Sequence, residues 1–185
     1  MSKIENNTSA EFQQIIKACL SVFELKMADY GTAWRILRVS SLTDQIYIKA
    51  NRIRSIQTKS IQLVDEGIEN EFVGIINYSA MAIIQLRRGF AENADLSNEQ
   101  APEIFEGVLQ EAFQLMNRKN HDYDEVWRRM RVSSLTDIIL MKLLRIKQIE
   151  DNQGSTIVSE GIDANYFDII NYAVFALILL SYKQN

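Results

Sequence analysis

"DYGTAWRILRVSSLTDQIYIKANRI", residues 29–53, returns later in the chain as "DYDEVWRRMRVSSLTDIILMKLLRI", residues 122–146. The two segments align without a gap at an offset of 93 residues and share the hexamer VSSLTD. Further on, "DEGIENEFVGIINYSAMAIIQL", residues 65–86, returns as "SEGIDANYFDIINYAVFALILL", residues 159–180, at an offset of 94. Similarity over most of both halves indicates a tandem duplication, which has to be recognised before any fold is assigned.

The repeat divides the chain into four parts. Residues 1–8 form an N-terminal tail, residues 9–89 the first helical repeat (copy one) and residues 101–183 the second (copy two). The stretch "GFAENADLSNEQ" between them is polar, which predicts a linker at about 90–100. We expect the two copies to form one compact domain.

Each copy reads as three helices. The first helix begins with Thr8 three residues before Glu11, the spacing of a capping box. Its apolar positions follow the 3.6-residue period: Phe12, Ile15, Ile16, Cys19, Leu20 and Phe23. The chain has only 7 Gly and a single Pro, which favours helices over a sheet with many turns. We therefore predict an all-α fold, in which two three-helix units pack as a pseudo-twofold bundle because each needs the other to close its core.

Composition narrows the class of protein. With 47% apolar residues the chain can bury a core, and a net charge of −4 argues against general nucleic-acid binding. The single cysteine excludes an intrachain disulfide, and the N-terminus lacks the apolar core of a signal peptide. The apolar run 172–180 is shorter than a membrane span. We expect a soluble, cytoplasmic protein without a membrane partner, and association into a homo-oligomer stays open.

Polar residues interrupt the two most apolar helices of copy two. Lys142 and Arg145 lie in the helix 134–149, and Asp168 and Asn171 lie in the last helix, with Glu160 before it. If these helices face each other, their polar side chains share one pocket. Carboxylates suit Mg²⁺, and Lys and Arg suit phosphate oxygens.

This pocket gives a set of candidate residues. The candidate metal ligands are Asp137, Glu160, Asp163 and Asp168, and the candidate catalytic groups are Glu160 and Asp168. The candidate substrate-binding residues are Tyr30, Tyr123, Trp127, Lys142, Arg145 and Asn171, of which the aromatic ones come from the repeated K..DY…W word and could stack on a base.

A structural interpretation stands beside the functional one. Asp137 and Asp163 could be helix caps, and Lys142 or Arg145 could form an ion pair with Asp168. The tryptophan of each copy could simply anchor its loop in the core.

The copies also differ where chemistry is expected. Asp168 corresponds to Gly74, and Asp124 corresponds to Gly31. Copy two keeps the fuller set of acids, so either one copy forms a working site or a single site draws on both.

The words "HDYDEVW", "SLTDIILMKLLRI" and "EGIDANYFDIINYA" resemble the nucleotide modification associated domain 1 family, a domain of unknown function, once in each copy. In copy two the matching residues are Asp122, Tyr123, Trp127, Asp137, Lys142, Arg145, Glu160, Asp163, Asp168, Asn171 and Tyr172. In copy one they are Asp29, Tyr30, Gly31, Trp34, Asp44, Lys49, Arg52, Glu66, Asn77 and Tyr78. The resemblance implies a link to nucleotide or modified-base metabolism.

A more distant similarity is to the all-α nucleoside triphosphate pyrophosphohydrolases, which carry an E-x-x-D metal motif. The segment "DIIN" of this chain, residues 168–171, matches that motif in part. Three hypotheses follow. The chain binds a nucleotide or nucleoside phosphate with Mg²⁺ and cleaves between phosphates; or it is a non-catalytic nucleotide sensor or accessory subunit of a base-modification system; or it is a structural helical assembly protein.

Overall fold

The computed structural model describes residues 7–59 and 67–183, apart from the side chains of residues 122, 123, 182 and 183. These ranges contain helices and no strand, which confirms the all-α class. The helices are α1 (Thr8–Tyr30), α2 (Val39–Thr58), α3 (Ile68–Arg88), α4 (Gln100–Tyr123), α5 (Val132–Asp151) and α6 (Ile162–Lys183), with short 3₁₀ helices at Ala33–Ile36 and Val126–Arg129.

The two copies pack around a pseudo-twofold axis that passes between α2 and α5. Side-chain contacts across this interface occur twice. Each contact between a residue of copy one and a residue of copy two is repeated by the equivalent residues with the copies exchanged. The pairs are Thr43–Glu150 with Thr136–Gln57, and Asp44–Lys147 with Arg54–Asp137. The predicted symmetric arrangement of the repeats is therefore present.

Helices α3 and α6 carry much of the shared core. Phe72, Ile76, Ile170 and Val174 are almost completely buried on these two helices. By length and composition, Ile162–Ser181 could cross a membrane, although the strictly apolar run is shorter. However, 67% of that window is buried inside the bundle, which is how the core helix of a soluble protein also behaves.

Helix α5 is less buried than its sequence predicts. Leu144 is 51% and Met141 41% exposed, because the outer side of α5 has no helix packed on it among the described residues.

The termini of the elements also correct two details. Asn7, not Thr8, caps α1 by accepting a hydrogen bond of 3.0 Å from the Ala10 amide, while the Thr8 hydroxyl donates to Glu125 of copy two. The linker is anchored and not merely polar, because Leu96 is buried and its carbonyl accepts a 2.8 Å hydrogen bond from Thr32.

Candidate functional site

The hollow predicted in copy two exists in part. Lys142, Arg145 and Glu160 line an open depression of about 690 Å³, together with the exposed loop 155–159. Asp163 and Asp168 do not line it. The depression is broad and faces solvent, so it does not enclose a small ligand.

Asp168 is closed off by two lysines. Its side chain is buried, with Lys119 Nζ 2.6 Å from Oδ1 and Lys142 Nζ 2.6 Å from Oδ2. Burial lowers the pKa of Lys119, but its hydrogen bond to Asp168 and the charge of that carboxylate raise it above its ordinary value overall. Asp168 thus forms a buried ion pair, which is the structural role that the sequence offered as an alternative to metal binding.

The other predicted metal ligands lie apart. Asp137 lies in the second turn of α5, too far along to cap it, and is 3.7 Å from Arg54 of copy one. Asp163 is exposed in the first turn of α6, where its charge favours the helix N-terminus. Among the side chains that the structure describes, no three Asp, Glu, His or Cys residues form a group that could hold a metal ion. The candidate acids therefore do not form a set of ligands around one point, and the Mg²⁺ site stays a prediction.

The aromatic and amide candidates of copy two lie in the core. Trp127 is 4% exposed and its ring stacks on Phe175 with centroids 4.2 Å apart. Asn171 is buried on α6, and the side chain of Tyr123 lies outside the described residues. Trp127 therefore has the anchoring role of the structural alternative.

A cavity of about 320 Å³ lies instead in copy one, between α1, the first 3₁₀ helix, α2 and α3. We call it the copy-one cavity. Its walls include apolar residues such as Phe23 and Met81, and its polar lining residues include Lys26, Tyr30, Trp34, Lys49, Asn77 and Tyr78. Of the predicted site residues, Tyr30 is the one that lines it.

Two substitutions between the copies account for this space. Gly74 lines the cavity where copy two has Asp168, and Met81 lines it where copy two has Phe175. A β-carbon at Gly74 would lie 2.6 Å from Cε of Lys49, so Lys49 extends over the position that a carboxylate occupies in copy two. The smaller side chains leave a cavity where copy two is filled.

The carboxylate of copy one lies one helical turn away. Glu71 is buried on α3, accepts a hydrogen bond of 3.3 Å from Lys49 and forms a close ion pair with Arg52. Glu71 corresponds to Asn165 in copy two, whereas Asp168 corresponds to Gly74. The acid thus moves by one turn between the copies, away from the cavity lining and towards the Arg52 side of α2.

Two buried polar atoms of the cavity lining have no partner. Nε1 of Trp34 and Oδ1 of Asn77 make no hydrogen bond within the described ranges, although both residues are more than nine-tenths buried. The amide nitrogen of Asn77 donates to the Cys19 carbonyl at 3.1 Å, which orients that side chain. Leaving a buried donor or acceptor unpaired costs roughly 1–3 kcal/mol. The residues that line the cavity therefore carry one buried donor and one buried acceptor without a partner.

The same two atoms are unpaired in copy two, on Trp127 and Asn171. Their recurrence makes the donor and acceptor a property of the repeat and not an isolated packing defect. In copy two Phe175 covers the Trp127 ring, whereas in copy one a cavity adjoins both equivalent residues.

Tyrosines flank the copy-one cavity. Tyr30 is 59% exposed, and Nζ of Lys49 lies 5.8 Å from the centroid of the Tyr78 ring. Partial burial, then the neighbouring Tyr78 and Asp29, raise the pKa of Tyr30, so its hydroxyl stays protonated at neutral pH. The arrangement offers aromatic faces, two ammonium groups and neutral hydroxyls, which suits a planar ligand with an anionic group.

Sequence reasoning placed the candidate site in copy two, whereas this cavity lies in copy one. It treated Gly74 as the loss of a carboxylate, although the change also leaves Lys26 without the ion pair that its equivalent Lys119 makes with Asp168. The paired differences Gly74/Asp168 and Met81/Phe175 were the available signal, because both place the smaller side chain in copy one, on one helix face and two turns apart.

Comparison with known families supports the repeat. The sequence model of nucleotide modification associated domain 1, a domain of unknown function, matches residues 26–86 and again residues 119–180. These segments cover more than half of the chain, which therefore belongs to that family. No curated protein and no solved structure matched the chain.

Proposed function

We propose that this member of the nucleotide modification associated domain 1 family binds a nucleotide or nucleoside phosphate in the copy-one cavity. The observation that carries the proposal is a cavity lined by two lysines and by Trp34 and Asn77, whose side chains hold a buried donor and a buried acceptor without partners. A bound base or sugar would satisfy both atoms, and the lysines would meet the phosphate.

The size and lining of the cavity support a small organic ligand. At about 320 Å³ it lies at the lower end of the range for ligand sites, which are mostly apolar with a few placed polar groups. The rings of Trp34, Tyr30 and Tyr78 supply the apolar surface on which a base can stack.

The proposal is for binding, as in a nucleotide sensor or an accessory subunit of a base-modification system. Phosphate cleavage would need acids that converge on a metal ion, and the candidate acids of copy two are spread over an ion pair, an interface contact and an exposed helix end. Pyrophosphate release from nucleoside triphosphates with Mg²⁺ measures that alternative directly, and turnover would replace the binding proposal by an enzymatic one.

Isothermal titration calorimetry with nucleosides and their mono-, di- and triphosphates, with and without Mg²⁺, tests the proposal. The informative variant is Trp34→Phe, which removes the indole N–H and keeps an aromatic ring. Loss of one hydrogen bond predicts a roughly three- to tenfold weaker affinity.

Trp127→Phe is the matched control, because Trp127 is the equivalent residue of copy two and stacks on Phe175. It should leave the affinity unchanged. Absence of binding to the whole series, or equal effects of the two variants, would refute a nucleotide site in the copy-one cavity.

A further inference from the structure

We infer that the ligand of the copy-one cavity is a nucleoside monophosphate, bound once per chain, whose phosphoryl group lies between Lys26 and Lys49. This inference rests on the proposed function and deepens it by naming the anion, its position and the stoichiometry. The internal repeat carries the argument, because copy two shows what the two equivalent lysines bind.

In copy two the equivalents of Lys26 and Lys49 are Lys119 and Lys142. Each donates a 2.6 Å hydrogen bond to a different oxygen of Asp168. The Asp168 carboxylate is thus an anion built into the chain, bridged by two ammonium groups. Carboxylate and phosphate oxygens accept charged hydrogen bonds of the same kind, so a phosphoryl group can take the same place.

In copy one the bridging anion is missing. Gly74 stands at the position of Asp168, and Lys26 and Lys49 both line the cavity beside it. Lys49 forms an ion pair with Glu71, one turn away on α3, whereas Lys26 forms no ion pair within the described part of the chain. The flexible end of Lys49 reaches over the position of the missing carboxylate and can move aside, so the two lysines can bind an anion from outside.

The number of cations favours one phosphoryl group. Two ammonium groups at the spacing seen in copy two hold a single carboxylate with one oxygen each. The nearest guanidinium on α2, that of Arg52, already bonds Glu71. The cavity of about 320 Å³ accommodates a base and sugar, and a second or third phosphate would extend past the two lysines into solvent.

Copy two is closed to the same ligand. Asp168 occupies the anion position and Phe175 stacks on Trp127, where Met81 lines the cavity of copy one. The duplication has therefore produced one open site and one site that is filled by its own side chains, so one ligand per chain is expected.

Calorimetry with deoxynucleoside and ribonucleoside 5′-monophosphates, and with the nucleosides that lack the phosphate, tests the inference. Wild type should bind at least one monophosphate once per chain and its nucleoside at least tenfold more weakly. Lys26→Gln should weaken monophosphate binding by about 10- to 100-fold, the effect of one charged hydrogen bond, and leave nucleoside binding unchanged. Lys119→Gln is the matched control at the equivalent position and should change neither affinity.

Gly74→Asp provides the second variant, since it places the copy-two carboxylate in copy one. The variant should fold, because the group that must move is the flexible end of Lys49, and copy two already accommodates this arrangement. It should abolish the preference for the monophosphate over the nucleoside. Its circular dichroism and unfolding midpoint show whether the fold is intact.

The outcomes separate the two proposals. If a monophosphate binds but Lys26→Gln and Lys119→Gln act equally, or Gly74→Asp keeps the phosphate preference, the anion lies elsewhere and the inference is wrong, while nucleotide binding survives. Tighter binding of triphosphates than of monophosphates, or two ligands per wild-type chain, also overturns it. If no nucleotide or nucleoside binds, the proposed function itself fails.

Discussion

Replacing Asp168 by Asn should expose the energetic cost of the buried ion pair in copy two. The change leaves the side-chain volume nearly unaltered and removes the charge that compensates Lys142, which is only 8% exposed. Stranding a buried charge by removing its partner costs about 3–5 kcal/mol. The side chain of Lys119 is 48% exposed and can return to water, so one ammonium and not two is stranded. We therefore expect the free energy of unfolding to fall by about 3 kcal/mol, the lower end of this range.

Urea unfolding at pH 7, followed by circular dichroism, measures this loss as a shift of the midpoint at constant slope. The matched control is Asp137→Asn in the same copy. Asp137 pairs with Arg54 at 3.7 Å, and both side chains are more than 60% exposed, so the control should lose less than about 1 kcal/mol.

The reasoning would be refuted if Asp168→Asn cost no more than Asp137→Asn. A second variant separates the stranded charge from a general packing defect. Lys142→Met combined with Asp168→Leu removes both charges, and apolar replacement of a buried ion pair is often neutral or stabilising. This double variant should recover most of the stability lost by Asp168→Asn, and failure to recover it would mean that shape and not charge was responsible.

Three further measurements test other parts of the structure. Desolvation raises the pKa of Glu150, despite the hydrogen bond from Thr43. The stability that the protonated Glu150 contributes is therefore present below its pKa in the unfolded chain, and it is lost as pH rises through its pKa in the folded protein. Glu150→Gln should therefore be more stable than wild type at pH 7 and gain nothing near pH 4 in urea titrations; a pH-independent difference would contradict this. Asp124 has φ 54° and ψ −172°, a backbone region that strongly favours glycine, and copy one has Gly31 at this position. Asp124→Gly should therefore raise the free energy of unfolding by about 1 kcal/mol, and a lower free energy of unfolding would argue against backbone strain there. Cys19 is buried and its thiol pKa is raised to about 12, so its labelling by a thiol reagent should follow the rate of unfolding, and rapid labelling of the folded protein would show that α1 opens locally.

Much of the fold could be predicted from the repeat and the periodicity. The third helix predicted in copy one is present as Ile68–Arg88, because its apolar period is long and uninterrupted. Helix starts were less predictable. The hexamer VSSLTD forms the beginning of α2 and α5 from Val39 and Val132 onward, so its serines and aspartates lie inside the helices and do not cap them.

The site could be predicted only as a set of residue types. Sequence spacing brought Lys142 and Asp168 to facing helices, and the structure confirms that contact. The same reasoning put Asp137 in that pocket, but this residue pairs with Arg54 across the pseudo-twofold axis. A helical wheel specifies the direction of a side chain within one helix, and it does not specify which neighbouring helix that direction meets.

The sequence by itself therefore determined the duplication, the helical class and the chemistry available in each copy, because these follow from local periodicity and from alignment of one half with the other. Only the tertiary structure decided which copy is open. That outcome depends on side chains from different helices competing for one volume: Asp168 and Phe175 fill it in copy two, whereas Gly74 and Met81 leave a cavity beside Lys26 and Lys49. Such competition depends on distances between helices, which no spacing along a single chain segment encodes.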